Sequence, residues 1–193
     1  MKSICVYCGS SAGSSETYGA AARNLAASML KRQLSLVYGG GNAGLMGIIA
    51  DEVMRLGGKA IGVIPQALMD KEVGHTSLSQ LHIVRNMHER KALMAELSGG
   101  FIAMPGGIGT LEELFEMFTW LQLGFHEKPL GLLNVDGFYD SLIVFLKQTV
   151  QKNFLLQEHL DLLIIESNPD RLLQQFDDFK PQHVKKWLTK DDI

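Results

Sequence analysis

Short, almost entirely apolar runs alternate with amphipathic segments along most of the chain, and this alternation limits the possible folds more than any other feature. Strands that are apolar on both faces and separated by helices indicate a parallel sheet covered by helices on both sides. The pattern therefore predicts a single α/β domain over residues 1–193, with a Rossmann-like doubly wound parallel sheet. The predicted strands are residues 3–8, 34–40, 60–65, 81–84, 101–105, 129–135 and 162–166.

Helices are predicted between these strands because apolar residues there recur three and four positions apart. They cover residues 17–31, the segment from the glycine-rich loop at 39–44 to near 56–59, and residues 87–97, 110–123 and 139–151. Residues 66–80 are expected to be less regular. After the last strand the chain is expected to end in a polar tail.

Composition and charge exclude several classes of protein. The net charge is −3, so no electrostatic feature predicts a nucleic acid or an anionic membrane as partner. No apolar run approaches the roughly 18 residues that a membrane-spanning helix requires. The N-terminus, "MKSICVYCGS", is too short and too strand-like for a signal peptide, so a cytoplasmic location is expected.

The two cysteines, Cys5 and Cys8, have the C-x-x-C spacing of a redox or zinc site. They lie in "SICVYC", which predicts a strand, and positions three apart on a strand point to opposite faces. The thiols are therefore expected to be buried and apart from each other. A zinc site would need further Cys or His ligands, and the histidines are scattered, so no metal is predicted.

Every glycine-rich loop follows a predicted strand, which brings the loops to the sheet edge where doubly wound proteins bind ligands. The loops "CGSSAGSS" and "YGGGNAGLMG" resemble the dinucleotide fingerprint only loosely, because neither is followed by the expected ribose-binding acid. The second of them suits either phosphate binding or tight packing of a strand against a helix.

A later loop, Gly106-Gly107-Ile108-Gly109-Thr110, gives a more specific signal. Its three glycines in four positions exceed what a turn needs and permit close approach of the backbone. Backbone N–H groups there would converge on an anion at the positive end of the following helix. A phosphate site is therefore predicted.

Two adjacent glutamates, Glu112 and Glu113, follow this loop. Acidic residues in a first helical turn complement the helix dipole, so both can be purely structural. They flank the apolar stripe of the helix and lie about 100° apart, so at most one should face a common ligand. Periodicity does not choose between them.

Arg90 and Lys91 lie near the start of the helix that follows the fourth strand, next to the same sheet edge. Cations at a helix N-terminus oppose its dipole. A bound phosphate or acidic group would offset that cost, and solvated surface charge is the alternative.

Two motifs, "PGGIGTLEE" and the upstream "MHERK", occur together, and with them the chain resembles the LONELY GUY (LOG) family, once labelled lysine decarboxylase-like. The resemblance implies a cytokinin riboside 5′-monophosphate phosphoribohydrolase, which cleaves a nucleoside monophosphate into free base and ribose 5-phosphate. Many bacterial members accept AMP, and members are typically homodimers with sites near the interface. The resemblance extends through "ICVYCGSS", "LVYGGGNAGLMG", "GVIP" and "TWLQLGFHEKPLGLLNVDGFY".

By this resemblance, Arg90 and Glu113 are the catalytic residues. The glycines would hold the 5′-phosphate, and the glutamate would act at the sugar, where a carboxylate stabilises an oxocarbenium-like state or activates the attacking water. Arg90 would act on the phosphate, the ribose or the departing base. No metal or organic cofactor is implied. The implied substrate-binding residues are Glu72, Arg90, Lys91, Gly106, Gly107, Ile108, Gly109, Thr110, Leu111, Glu112, Glu113 and Thr119.

Two other functions compete with this interpretation. A decarboxylase would use pyridoxal phosphate on a Schiff-base lysine, but Lys91 beside Arg90 gives no particular support for one. Molybdenum-cofactor carriers of the same fold bind a phosphorylated pterin without turnover, and the combination of Arg90 with Glu113 favours an enzyme over such a nucleotide carrier. The base preference stays open, and a helix face around Met117 and Trp120 is expected to be exposed and to suit a dimer interface.

Overall fold

The computed structural model of the protein describes residues 1–72, 74–75 and 77–180. Its centre is a seven-stranded, all-parallel sheet with the strand order β4-β3-β2-β1-β5-β6-β7. The predicted α/β class and parallel sheet are confirmed. The strands are β1 (Ser3–Tyr7), β2 (Ser35–Tyr38), β3 (Ala60–Pro65), β4 (Gln80–Val84), β5 (Phe101–Ala103), β6 (Leu130–Leu133) and β7 (Leu163–Glu166).

Helices cover both faces of this sheet. Helices α1, α2 and α8 pack on one face and α4, α5, α6 and α7 on the other, each face having its own buried apolar cluster. Within the described part of the chain, no helix is both long and apolar enough to span a bilayer. The helices are α1 (Glu16–Lys31), α2 (Gly44–Arg55), α3 (Gln66–Glu72), α4 (Met87–Glu96), α5 (Ile108–Leu123), α6 (Asp140–Gln151), α7 (Gln157–Leu160) and α8 (Pro169–Asp178).

Local sequence signals mark the start of α4 and the end of α5. Before α4, the side-chain oxygen of Asn86 accepts the N–H of Glu89 at 2.9 Å, which satisfies one of the unpaired N–H groups of the first turn. Helix α5 ends at Gly124, which adopts the left-handed conformation with φ of 76°, and glycine adopts that conformation without steric cost.

Two segments differ from the expectation. Residues 66–80, expected to be less regular, begin with α3. The expected polar tail begins with α8, because three apolar side chains in that otherwise polar segment, Leu172, Leu173 and Phe176, are buried against the sheet. The chain beyond residue 180 lies outside the described residues.

The two cysteines are buried free thiols on opposite sides of the sheet, as predicted. Cys5 belongs to the cluster under α4 and α5, and Cys8 belongs to the cluster under α1 and α2. Burial raises the pKa of both thiols well above the ordinary value. Over the described ranges, no group of three or more His, Cys, Asp or Glu side chains could hold a metal ion.

The direction of the chain reverses between β1 and β5, which creates a cleft at their carboxyl ends. From β1 the strands proceed outward to β4, and the chain then returns to place β5 on the other side of β1. Loops that diverge at such a point form the usual ligand crevice of doubly wound sheets. The Gly9 N–H donates to the carbonyl of Pro105 at 3.1 Å, and the Leu45 N–H donates to the carbonyl of Gly9 at 3.0 Å. Three loops are thereby connected around the cleft.

Candidate active site

A cleft of about 300 Å³ lies where the carboxyl ends of β1 and β2 meet the N-termini of α4 and α5. It contains most of the residues that sequence analysis placed in the site, together with several that it did not. Its lining residues are Val6, Tyr7, Cys8, Gly9, Ser10, Gly39, Met46, Met87, Arg90, Gly107, Ile108, Gly109, Thr110, Glu112 and Glu113.

Arg90 and Glu113 form an ion pair in this cleft. The Nη1 atom of Arg90 lies 3.4 Å from Oε1 of Glu113, and each side chain is only 11% exposed. The Arg90 guanidinium also donates from Nε to the carbonyl of Val63 at 3.2 Å and from Nη2 to the carbonyl of Gly39 at 3.4 Å. These backbone contacts hold the cation at the ends of β2 and β3, facing the carboxylate of α5.

Glycine at position 39 provides the space that the guanidinium occupies. A Cβ atom at Gly39 would lie 2.0 Å from Nη2 of Arg90, far inside van der Waals contact. The glycine-rich loop "YGGGNAGLMG" before α2 therefore contributes to the site through packing against Arg90.

Glu113 has the protonation behaviour expected of an acid–base group. Burial raises the pKa of Glu113 to about 7, although the positive charge of Arg90 opposes the rise. A carboxyl group that exchanges its proton near neutral pH is suited to general acid–base chemistry at neutral pH. Buried groups with such shifts are concentrated at functional sites.

The loop before α5 presents an open N-terminus to the cleft. The N-cap residue, Gly107, offers no side-chain cap, so N–H groups of the first turn are available to a ligand. A Cβ at Gly106 would lie 2.1 Å from Oγ1 of Thr110, whereas a Cβ at Gly107 or Gly109 would meet no atom within 4 Å. Packing thus requires glycine at 106, while the other two glycines leave space where an anion would bind.

Lys91 faces carboxylates of α5 and is not a solvated surface charge. Its Nζ atom lies 2.6 Å from Oε1 of Glu112 and 2.9 Å from Oε1 of Glu116, and its side chain is 12% exposed. Together with the contact between Arg90 and Glu113, these pairs offset the cost of two cations near the N-terminus of α4. Of the two adjacent glutamates, Glu113 is buried in the cleft and Glu112 lies exposed at its edge.

Some of the predicted substrate-binding residues do not line the cleft. Thr119 lies on an exposed part of α5, where its hydroxyl donates to the carbonyl of Phe115 at 2.8 Å. Leu111 packs against the core on the α5 side of the sheet. The side chain of Glu72 lies outside the described residues.

The prediction of an exposed face around Met117 and Trp120 on α5 is wrong. Met117 is fully buried, and Trp120 is partly buried against the same core. Conversely, four residues line the cleft that were not predicted from the sequence to do so: Tyr7, Ser10, Met46 and Met87. The available signal for Tyr7 and Ser10 was their place at and just beyond the carboxyl end of the first strand. The two methionines carried no comparable signal.

Comparison with protein families gives a match over most of the chain. The family model described as "Possible lysine decarboxylase" matches residues 46–176. Among curated proteins, the cytokinin riboside 5′-monophosphate phosphoribohydrolase LOG5 of Arabidopsis thaliana is 47% identical over 181 residues, covering 94% of this chain and 79% of LOG5. LOG7 of the same plant, also a cytokinin riboside 5′-monophosphate phosphoribohydrolase, is 44% identical over 195 residues, covering 100% of this chain and 90% of LOG7.

Solved structures with the same fold are more distant in sequence. The molybdenum cofactor binding protein from Rippkaea orientalis matches with a TM-score of 0.67 and 20% identity, covering 92% of this chain and 97% of that one. The Moco carrier protein from Chlamydomonas reinhardtii matches with a TM-score of 0.67 and 18% identity, covering 93% and 98%. At these identities the likeness shows a shared fold alone.

Proposed function

Since the chain belongs to the family of the LONELY GUY cytokinin riboside 5′-monophosphate phosphoribohydrolases, we propose that it hydrolyses the N-glycosidic bond of a purine nucleoside 5′-monophosphate. The products are the free base and ribose 5-phosphate. The observation that carries this proposal is the buried pair of Arg90 and Glu113 beside the open N-terminus of α5. A phosphate-binding helix end next to a carboxylate of near-neutral pKa suits a phosphorylated sugar.

Each part of the cleft has a role in this reaction. The N–H groups at Gly107 to Gly109 bind the 5′-phosphate and fix the nucleotide, which supplies the positioning component of catalysis. Glu113 faces the sugar, where its carboxylate stabilises the oxocarbenium-like state or takes a proton from the attacking water. General-base assistance of this kind contributes roughly 10²–10⁴-fold in rate. Arg90 holds the Glu113 carboxylate and contributes positive charge near the phosphate and sugar.

The lysine beside the cleft does not support the older decarboxylase description. A Schiff base forms from an unprotonated amine, but Lys91 is bound by two carboxylates. Burial alone would lower the pKa of Lys91, yet the hydrogen bonds to Glu112 and Glu116 raise it above the ordinary value. The amine therefore stays protonated and is a poor nucleophile.

We propose that both cytokinin riboside monophosphates and AMP are substrates. Met87 and Ile108 line the cleft, and these residues are 40% and 82% exposed. A purine ring would cover this apolar surface, and an N6-prenyl group would cover more of it. A pocket distinguishes such apolar groups by only about 1–3 kcal/mol, so acceptance of one substrate does not exclude the other.

We also propose that the protein is a homodimer, as the family resemblance implies. Helix α6 supports this proposal because Val144 and Phe145 on it are 54% and 57% exposed, and clustered exposed apolar residues are typical of interfaces. Light scattering after size exclusion should give twice the chain mass of 21.3 kDa. A mass of one chain at micromolar concentration would contradict the proposal.

Product analysis tests the proposed reaction directly. Purified protein is incubated with AMP and with isopentenyladenosine monophosphate, and base and ribose 5-phosphate are quantified for wild type, Glu113→Gln and Arg90→Ala. We expect equimolar products from wild type and a loss of about 10²-fold or more in both variants. The exposed residues Arg85 and Glu96 provide the matched controls Arg85→Ala and Glu96→Gln, which should keep full activity. Binding of nucleotide without release of base would instead indicate a carrier.

A further inference from the structure

Three neighbouring carboxylates lie within the first three turns of α5, and the proposed hydrolysis needs one of them, Glu113, at the sugar. We propose that Lys91 is a positioning residue that holds Glu112 and Glu116 on the flank of α5 and so leaves Glu113 as the working carboxylate of the cleft. This inference rests on the proposed function. It differs from the role implied by family resemblance, in which Lys91 contacts the nucleotide directly.

Contacts with α4 divide the three carboxylates into two groups. Glu112 and Glu116 lie about 40° apart around α5, whereas Glu113 lies about 100° from Glu112 and about 60° from Glu116. Lys91 reaches across from α4 and lies 2.6 Å from Glu112 and 2.9 Å from Glu116. An ammonium group has three N–H donors, and two of them are engaged by these contacts.

Glu116 shows why the cation is needed at this place. Its side chain is only 25% exposed. Among the described residues its Oε2 atom is buried without a hydrogen-bond partner, so the charge of this carboxylate depends on the contact between Oε1 and Lys91. Removing one member of a largely buried ion pair leaves an uncompensated charge. That charge would then act on the neighbouring groups of α5.

Adjacent residues of α4 therefore perform two different tasks. Arg90 points into the cleft and pairs with Glu113, while Lys91 points along the flank and binds the other two carboxylates. Both α4 cations favour the ionised form of Glu113, and the two flanking carboxylates disfavour it. The charged groups that act on Glu113 are Arg90 and Lys91 from α4 and Glu112 and Glu116 from α5. The buried Cys5, Tyr7 and Cys8 at β1 face it as well, and burial together with the charge of Glu113 raises their own pKa values.

The expected effect of losing Lys91 follows from these signs. In Lys91→Met the two flanking carboxylates lose their cation, so the pKa of Glu113 should rise further. Nearby charges typically move a pKa by about 1 unit or more, and a shift of about 1 unit is expected here. The acidic limb of the pH profile of kcat should move to higher pH by the same amount, and the effect on KM should be smaller.

The experiment titrates Glu113 by carboxyl ¹³C NMR in ligand-free protein and measures kcat and KM against pH. The variants are Lys91→Met, the conservative Lys91→Arg, and the triple variant Lys91→Met/Glu112→Gln/Glu116→Gln, with the exposed Lys59→Met as control. We expect the pKa of Glu113 to rise in Lys91→Met, to stay near the wild-type value in Lys91→Arg and Lys59→Met, and to return toward that value in the triple variant. The single variant Glu112→Gln, which keeps Lys91, should lower the pKa of Glu113. It provides an alternative test if Lys91→Met does not fold.

Two results would overturn the inference. One is a Lys91→Met protein with an unchanged Glu113 titration and a raised KM, which would make Lys91 a nucleotide contact. The other is a triple variant that retains the full shift. Failure of the proposed function is recognised separately, because wild type would then release no base, while the NMR titration still reports the coupling between Lys91 and Glu113.

Discussion

Gly39→Ala is predicted to separate catalysis from stability in this protein. The added methyl group would lie 2.0 Å from Nη2 of Arg90 and 3.1 Å from its Cζ. Carbon and nitrogen atoms in contact need about 3.5 Å, so the guanidinium must move by about 1.5 Å. The atom displaced is the far end of a flexible side chain, so the fold can accommodate the methyl group by releasing Arg90 from its position.

The size of the effect follows from that displacement. A misplacement of about 1 Å at a catalytic group can cost roughly 10²-fold in rate, which corresponds to about 2.7 kcal/mol in the activation free energy. The pKa of Glu113 should also rise, because the positive charge of Arg90 is the largest of the effects that oppose its elevation. The free energy of unfolding should fall by no more than about 1 kcal/mol, equivalent to about 2–4 °C in Tm for a chain of this size.

The assay pairs steady-state base release with thermal unfolding. Gly19→Ala is the matched control, because a Cβ there has its nearest neighbours at 3.5 Å and Gly19 lies within α1. The control should retain wild-type activity. If Gly39→Ala keeps wild-type kcat/KM while folded, the placement of Arg90 does not control the reaction and the reasoning is wrong. A loss of Tm well beyond 4 °C would show that the methyl group is not accommodated by movement of Arg90.

Three further predictions concern other parts of the molecule. Gly107→Ala and Gly109→Ala should leave Tm nearly unchanged, because a Cβ there meets no atom within 4 Å, but should raise KM for AMP; a large drop in Tm would contradict this. Because burial raises the pKa of Glu113 from 4.5 to about 7, the folded state keeps a proton that the unfolded chain has released in that window, so stability falls as pH rises through it. Glu113→Gln should therefore gain Tm relative to wild type between about pH 5 and about pH 8, and a constant difference across that range would refute the assignment. Leu173→Ala, at a fully buried site of α8, should reduce the free energy of unfolding in urea by about 2–5 kcal/mol, and a negligible change would mean that α8 is dispensable.

The sheet could be predicted from sequence because its strands are buried on both faces. Runs such as the one that forms β1 are apolar at successive positions, and that pattern has few structural alternatives. Helix α8 was missed because only Leu172, Leu173 and Phe176 are apolar in a segment that is otherwise polar. Three side chains suffice there because they pack against the apolar face of the sheet, and local sequence does not reveal that surface.

The site could be predicted only as far as its residues follow local motifs. Helical periodicity predicts the angle between Glu112 and Glu113 but not which cation pairs with either of them. That pairing depends on the position of α4, from which Lys91 reaches Glu112. Likewise, the hydrogen bonds from Arg90 to the carbonyls of Val63 and Gly39 depend on which strands are neighbours in the sheet. Strand order is a long-range property, so no motif in "MHERK" contains it.

The placement of β5 beside β1 also determines when activity can first appear during folding. β1 ends at Tyr7 and β5 begins at Phe101, so the contact between them closes a long stretch of chain, and contacts of high sequence separation are slow to form. Until that contact forms, helix α5, which bears Glu113, is not beside the loop after β1, and the cleft does not exist. A nascent or partly folded chain is therefore expected to be inactive toward nucleotides. During refolding, the time at which base release recovers would report when β5 pairs with β1.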